Sequence, residues 1–120
     1  MAEVMIADGV ITISFGPWER FFTGHARYTL PVTAVRQAVA TDRPLRVPRG
    51  PRRGLTVSGH TKIGVWGIYG GPRQLVSANR RLPGLHLLLD RPSSGGEFDE
   101  VVISVSDADH LVQAIRAVGA

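Results

Sequence analysis

The chain has 120 residues, 43% of them apolar, and no cysteine. That length fits one domain, residues 1–120, with a core of its own, and the missing cysteine excludes a disulfide framework, a thiolate nucleophile and zinc sites of the cysteine type. The formal charge of +4 is unevenly spread: residues 43–91 carry ten basic side chains against one acid, Asp90, while residues 1–42 and 92–120 are net acidic.

Alternating apolar residues dominate the first third. Val4 and Ile6 precede Asp8-Gly9, a strong hairpin signal. Ile11, Ile13 and Phe15 then share one face of a second strand, which Gly16-Pro17 ends. Residues 18–22, Trp-Glu-Arg-Phe-Phe, form an apolar patch that reads as a strand end or a loop lid. Ala26, Tyr28 and Leu30 mark a third strand, Pro31 to Val35 a short turn, and the chain runs on as a strand to about Ala40.

Residues 41–54 have another character, with three prolines, two glycines and five arginines. This composition predicts a loop, because proline removes ladder donors and kinks helices. A short strand near Leu55–Ser58 follows, then irregular, glycine-punctuated chain over 59–73. Strands are predicted at Gln74–Asn79, Leu85–Asp90 and Glu100–Ser106. The last segment is the one helix predicted: Asp107 caps it, and Leu111, Val112, Ile115 and Val118 form its apolar face, with Gly119 as the stop. The sum is a mainly β chain of about seven strands with one C-terminal helix. A strongly bent antiparallel sheet or partly open barrel, capped by that helix, buries the apolar faces of both.

This order of elements resembles the bacterial pleckstrin-homology-like domains. The similarity is carried by the opening hairpin Val4–Ile13, the strand–proline–turn–strand passage Tyr28–Val35, the glycine-and-aromatic stretch Gly59–Tyr69, and the closing strand and helix Val101–Ile115. The resemblance implies a seven-strand bent sheet with a capping helix and says little about function, beyond the self-assembly of some bacterial relatives. Lipid-binding relatives of that fold carry a basic motif in the first hairpin loop, and here that loop is Asp8-Gly9, with no basic residue.

No catalytic constellation emerges. His25, His60, His86 and His110 form no i, i+4 pair, and no carboxylate pattern completes a metal set, although His25 and His86 fall on strands that could bring them together. Ser58-Gly59-His60 is not a nucleophile elbow, and Gly70-Gly71-Pro72-Arg73 lacks the Lys-Ser/Thr of a phosphate loop. Glu97, Asp99 and Glu100 follow Ser93-Ser94-Gly95-Gly96 and read as a solvated rim. Neither a metal nor a cofactor is expected.

The candidate ligand-binding residues are Arg43, Arg46, Arg49, Arg52 and Arg53. Guanidinium groups bind phosphate bidentately and keep their charge, and prolines hold such a loop extended. Thirteen of the fourteen basic residues are arginine, as a GC-rich genome would impose, yet codon usage does not explain their segregation from acids. Trp66 and Tyr69 lie close in sequence for stacking on bases. The function expected is a non-enzymatic binding or interaction module for a protein partner or an anionic surface, lipid headgroups or phosphate, with homo-oligomer formation open. The alternative is a nucleic-acid-binding accessory domain using the arginine loop. The opening residues have no basic run, and no apolar run, Leu87-Leu88-Leu89 included, is long enough to span a membrane. A cytoplasmic protein, peripheral at a membrane where it binds one, is expected.

Overall fold

The computed structural model describes residues 2–50, 52–57, 59–68, 72–91 and 97–119. It is mainly β, with two sheets and a C-terminal helix, and does not close into a barrel. The first sheet holds β1 (Glu3–Ala7), β2 (Val10–Ser14) and β3 (Arg27–Pro31) as an antiparallel meander. Its tight first turn uses the Asp8-Gly9 pair, both at positive φ. Ile11, Ile13, Tyr28 and Leu30 face inward, as the alternation predicts.

The second sheet has six strands in the order β4 (Val35–Thr41), β8 (Gly84–Leu89), β9 (Glu100–Ser104), β7 (Gln74–Asn79), β6 (Thr61–Trp66) and β5 (Arg52–Val57). Among the described residues, nine strands in two sheets therefore replace the single sheet of about seven. One pair, β7 with β9, is parallel, against the antiparallel expectation. Strand β9 slots between β7 and β8, which follow each other in sequence but do not pair. Its five residues, Glu-Val-Val-Ile-Ser, are all buried, which is the signature of a central strand covered on both faces.

Val101 and Ile103 look into the main core, with Leu75, Leu85, Leu87, Val65 and the inward residues of the first sheet. Helix α2 (Ala108–Gly119) closes this core over β4 and β8 with Ala108, Leu111, Val112 and Ile115. Val118, placed by periodicity on the same face, is instead 55% exposed. It lies in the last turn, beyond the part of the helix that the sheet covers. Val102 looks the other way, into a smaller outer cluster with Trp66, Val76 and Ala78.

Two segments differ from the sequence expectation. Residues Pro17–Thr23 form a short helix, α1, so the C-terminal helix is not alone. Pro17 opens it, the Glu19 carboxylate accepts the Gly16 N–H at 3.2 Å, and Gly24 ends it in the left-handed region. Residues 52–57 and 61–66, where the sequence predicts a strand only near Leu55–Ser58, form the paired strands β5 and β6. The glycines that suggested irregular chain have a different use there. Gly54 pairs with Gly64, and a Cβ on either would meet the facing backbone at 2.2 or 2.3 Å, so only glycine lets the two strands approach this closely.

Candidate functional site

The outer face of the six-stranded sheet is covered by residues 43–49, the first half of the arginine-rich segment. Pro44–Arg46 make one 3-10 turn. Pro44 is buried against Gly84, where a Cβ would fall 2.6 Å from the proline ring. Leu45 and Val47 then pack on Trp66, Val76, Ala78 and Val102. The Lys62 ammonium donates to the Leu45 carbonyl at 2.7 Å and fixes the height of the loop above β6.

The far end of this segment is pinned by a carboxylate. Glu100, only 3% exposed, accepts from the Arg49 guanidinium at 2.8 Å and lies 2.7 Å from His86 Nε2. Gln74, fully buried beside it, accepts the Arg49 backbone N–H at 2.9 Å and donates to the Val47 carbonyl at 3.2 Å and to Glu100 at 3.4 Å. Both oxygens of Glu100 are thus engaged by donors from the loop, β7 and β8. The solvated rim expected for Glu97, Asp99 and Glu100 holds for the exposed Glu97 and is corrected for Glu100. Glu100 opens β9 on the face that the loop covers, and burial of such a charge requires these partners.

At the other end of the segment, where residues 42–46 meet the start of β6 and the end of β7, lies a cleft of about 520 Å³, lined by Asp42, Arg43, Pro44, Leu45, Arg46, Gly59, Lys62 and Arg80. Four cations face one carboxylate across it, and among the described residues none of the four forms a salt bridge. Carbonyls do not neutralise them, so the cleft is a concentrated positive field over an apolar floor.

The five arginines predicted as one anion site fall into three places. Arg43 and Arg46 line the cleft. Arg49 belongs to the Glu100 network. Arg52 and Arg53 are on β5, opposite Trp66 and Val65, and the period of two puts their side chains on opposite faces of the sheet. Arg53 stands beside Gly24 on the α1 side. Lys62 and Arg80, absent from the predicted set, complete the cleft because β6 begins and β7 ends at one edge of it. Their separation by eighteen positions left no local signal.

Trp66 is 3% exposed and forms part of the outer cluster, so it is not a free stacking surface; Tyr69 lies outside the described residues. The histidines do not meet. His25 takes Glu97 at 2.9 Å and packs edge-on against Tyr28 and Phe98, while His86 takes Glu100. Among the described residues, no three His, Asp or Glu side chains gather in a way that would hold a metal.

One exposed aromatic residue, Trp18 of α1, stands at the same end of the sheet as the cleft, on its other face. Trp18 is 75% exposed and Phe21 78%, both on α1, and Val57 at the tip of β5 is 48% exposed. Trp18 borders Thr61 and Asn79, the immediate chain neighbours of the cleft residues Lys62 and Arg80. Helix α1 is held there by Glu19, 5% exposed, whose carboxylate accepts the Ser77 hydroxyl. A second recess of about 560 Å³ near Arg36, Gln37, Leu88, Arg91 and Asp99 is less promising as a site. Its carboxylates are already occupied: Asp99 accepts the Arg73 N–H at 2.9 Å and faces Arg91 at 3.7 Å. None of the helices among the described residues is long and apolar enough to cross a membrane. Comparison of the chain with family models, curated proteins and solved structures returns no match.

Proposed function

We propose that this chain is a non-enzymatic binding module that docks the β5–β6 end of its sheet against an anionic phospholipid surface at the cytoplasmic face of a membrane. One observation carries the reading: Arg43, Arg46, Lys62 and Arg80 ring a cleft, and the exposed Trp18 of α1 stands beside Thr61 and Asn79 at the ends of the strands that border it. Cations attract lipid phosphate, and an exposed indole partitions to the headgroup layer, so the two features at one end serve the same surface. We further read the chain as a divergent bacterial pleckstrin-homology-like domain. A β body closed by a C-terminal helix supports that reading, and the parallel β7–β9 pair is its divergence.

The test uses the two tryptophans as separate reporters. Trp66 is already buried, so a blue shift on adding vesicles reports Trp18. Vesicles of phosphatidylglycerol and phosphatidylcholine are expected to give that shift, with affinity falling steeply as salt rises, and pure phosphatidylcholine is expected to give none. Replacing Arg43, Arg46 and Arg80 by serine is expected to weaken binding about 100-fold, at about 1 kcal/mol per basic side chain. Trp18→Ser is expected to weaken vesicle binding while leaving any duplex DNA binding unchanged. Absence of binding at low salt, or a preference for DNA over vesicles, overturns the membrane reading; the second result establishes the nucleic-acid alternative.

A further inference from the structure

Strand β5 is the free edge of the six-stranded sheet: β6 is its only partner among the described strands. Its pairing with β6 runs in unbroken register from Arg52↔Trp66 to Val57↔Thr61. At the opposite edge, β4 has a register shift between Val35 and Gln37, which interrupts the flat ladder another chain needs. An edge that is regular over six residues presents unpaired backbone donors and acceptors to any extended segment.

The side chains on this edge select what pairs with it. Arg52 and Arg53 are both exposed, one on each face. Between Asp42 and Asp90 the chain has no carboxylate at all. Two copies of β5 brought edge to edge gather four guanidinium groups on one ladder with no carboxylate of the segment to relieve them, directly opposed where the copies run parallel, which opposes self-pairing. An acidic strand meets the opposite situation. Its alternate side chains fall on the two faces, where Arg52 stands on the outer side and Arg53 on the α1 side. Helix α1 packs on β5 and β6 and adds exposed apolar surface on that second side through Phe21.

We propose that β5 captures an extended acidic segment of a partner protein, added as a seventh strand to the sheet. Backbone hydrogen bonds supply the affinity, and Arg52 and Arg53 supply the choice of an acidic partner. The proposal stands apart from the cleft, since neither Arg52 nor Arg53 lines it.

The probe is an N-acetylated, C-amidated hexapeptide of valine and threonine carrying two adjacent glutamates, so that one carboxylate falls on each face, with a control in which two lysines replace the glutamates. The acidic peptide is expected to bind and to slow amide exchange across 52–57, and the lysine peptide to do neither. The double variant Arg52→Glu, Arg53→Glu is expected to lose the acidic peptide by about tenfold or more and to gain the lysine peptide, because two cross-strand pairs change sign. Methylating alternate backbone nitrogens on the edge-facing side of the acidic peptide is expected to abolish binding, which charge attraction alone does not predict. The triple cleft variant at Arg43, Arg46 and Arg80 is expected to lose vesicles but keep the peptide, so failure of one reading is separable from failure of the other. Equal binding of the methylated peptide, protection confined to the cleft, or no binding at low salt overturns strand capture.

Discussion

Replacing Glu100 by alanine tests whether one buried carboxylate holds the loop that builds the cleft. The side chain is 3% exposed and accepts from Arg49, His86 and Gln74 at 2.8, 2.7 and 3.4 Å. The full cost of breaking a buried ion pair, about 3–5 kcal/mol, applies when a charge is left stranded in the interior. That condition is not met on the Arg49 side, because the arginine side chain is 56% exposed and turns to water. His86 is 19% exposed, and Gln74 keeps the Val47 carbonyl at 3.2 Å. The loss is then that of the charge-assisted bonds from the less exposed donors, about 2–3 kcal/mol. For a chain of this size that corresponds to a fall in Tm of roughly 10 °C. Urea unfolding followed by tryptophan fluorescence gives the energy, and amide exchange at Arg49, whose N–H is held by Gln74, gives the loop. The variant alters no cation of the cleft, yet vesicle affinity is expected to fall several-fold because the loop that positions Arg43 and Arg46 loosens. A stability loss below about 0.5 kcal/mol with Arg49 still protected would refute the pinning role, since that is the range of ordinary surface substitutions.

Two further substitutions probe the elements that flank the cleft. Gly64→Ala is expected to destabilise the domain by more than 3 kcal/mol, or to unfold it, because the new methyl falls 2.3 Å from the Arg53 carbonyl at φ +147°; a melting temperature equal to that of the unmodified chain would show that β5 and β6 are further apart than described. Glu19→Ala removes the acceptor of both the Ser77 hydroxyl and the Gly16 N–H, with an expected cost of about 1–3 kcal/mol and faster proteolysis near α1, and unchanged cleavage there would count against the clamp.

The parts of the fold legible in the sequence are those with local signals. The Asp8-Gly9 turn, the alternation through Phe15 and the apolar face Leu111, Val112 and Ile115 rest on signals only a few residues apart, and each forms as expected, Val118 alone falling off that face. Helix α1 had signals too, Pro17 at its start, Glu19 at N3 and Gly24 at its end, but Trp18, Phe21 and Phe22 gave residues 18–22 the look of an apolar strand end or loop lid. Strand β6 was hidden because Gly64 reads as a breaker until Gly54 is known to lie opposite it. The order of the six-stranded sheet is non-local: placing β9 between two successive strands leaves no mark beyond the unbroken burial of Glu100–Ser104. The misreading of Glu100 has the same origin. Beside Ser93–Gly96 in sequence it looks solvated, whereas its partners come from 14, 26 and 51 positions away.

The segregation of charge along the chain acquires its meaning from these partners. Acids of the net acidic C-terminal part reach back to specific cations of the basic part, Glu100 to Arg49 and Asp99 to Arg91 and the Arg73 backbone. Those contacts belong to the framework and explain why an excess of arginine does not unravel the sheet. The cations without a carboxylate partner among the described residues include Arg43, Arg46, Lys62 and Arg80 at the cleft and Arg52 and Arg53 on the β5 edge. Codon usage favours arginine over lysine wherever a cation is tolerated, but it has no means of gathering four cations from three separated stretches of chain around one recess. Convergence in space of residues 43, 46, 62 and 80 is therefore the feature that composition does not account for. It predicts that exchanging Arg43 and Arg46 for lysine preserves attraction to a bilayer, which reads charge, and weakens a ligand held bidentately by guanidinium groups.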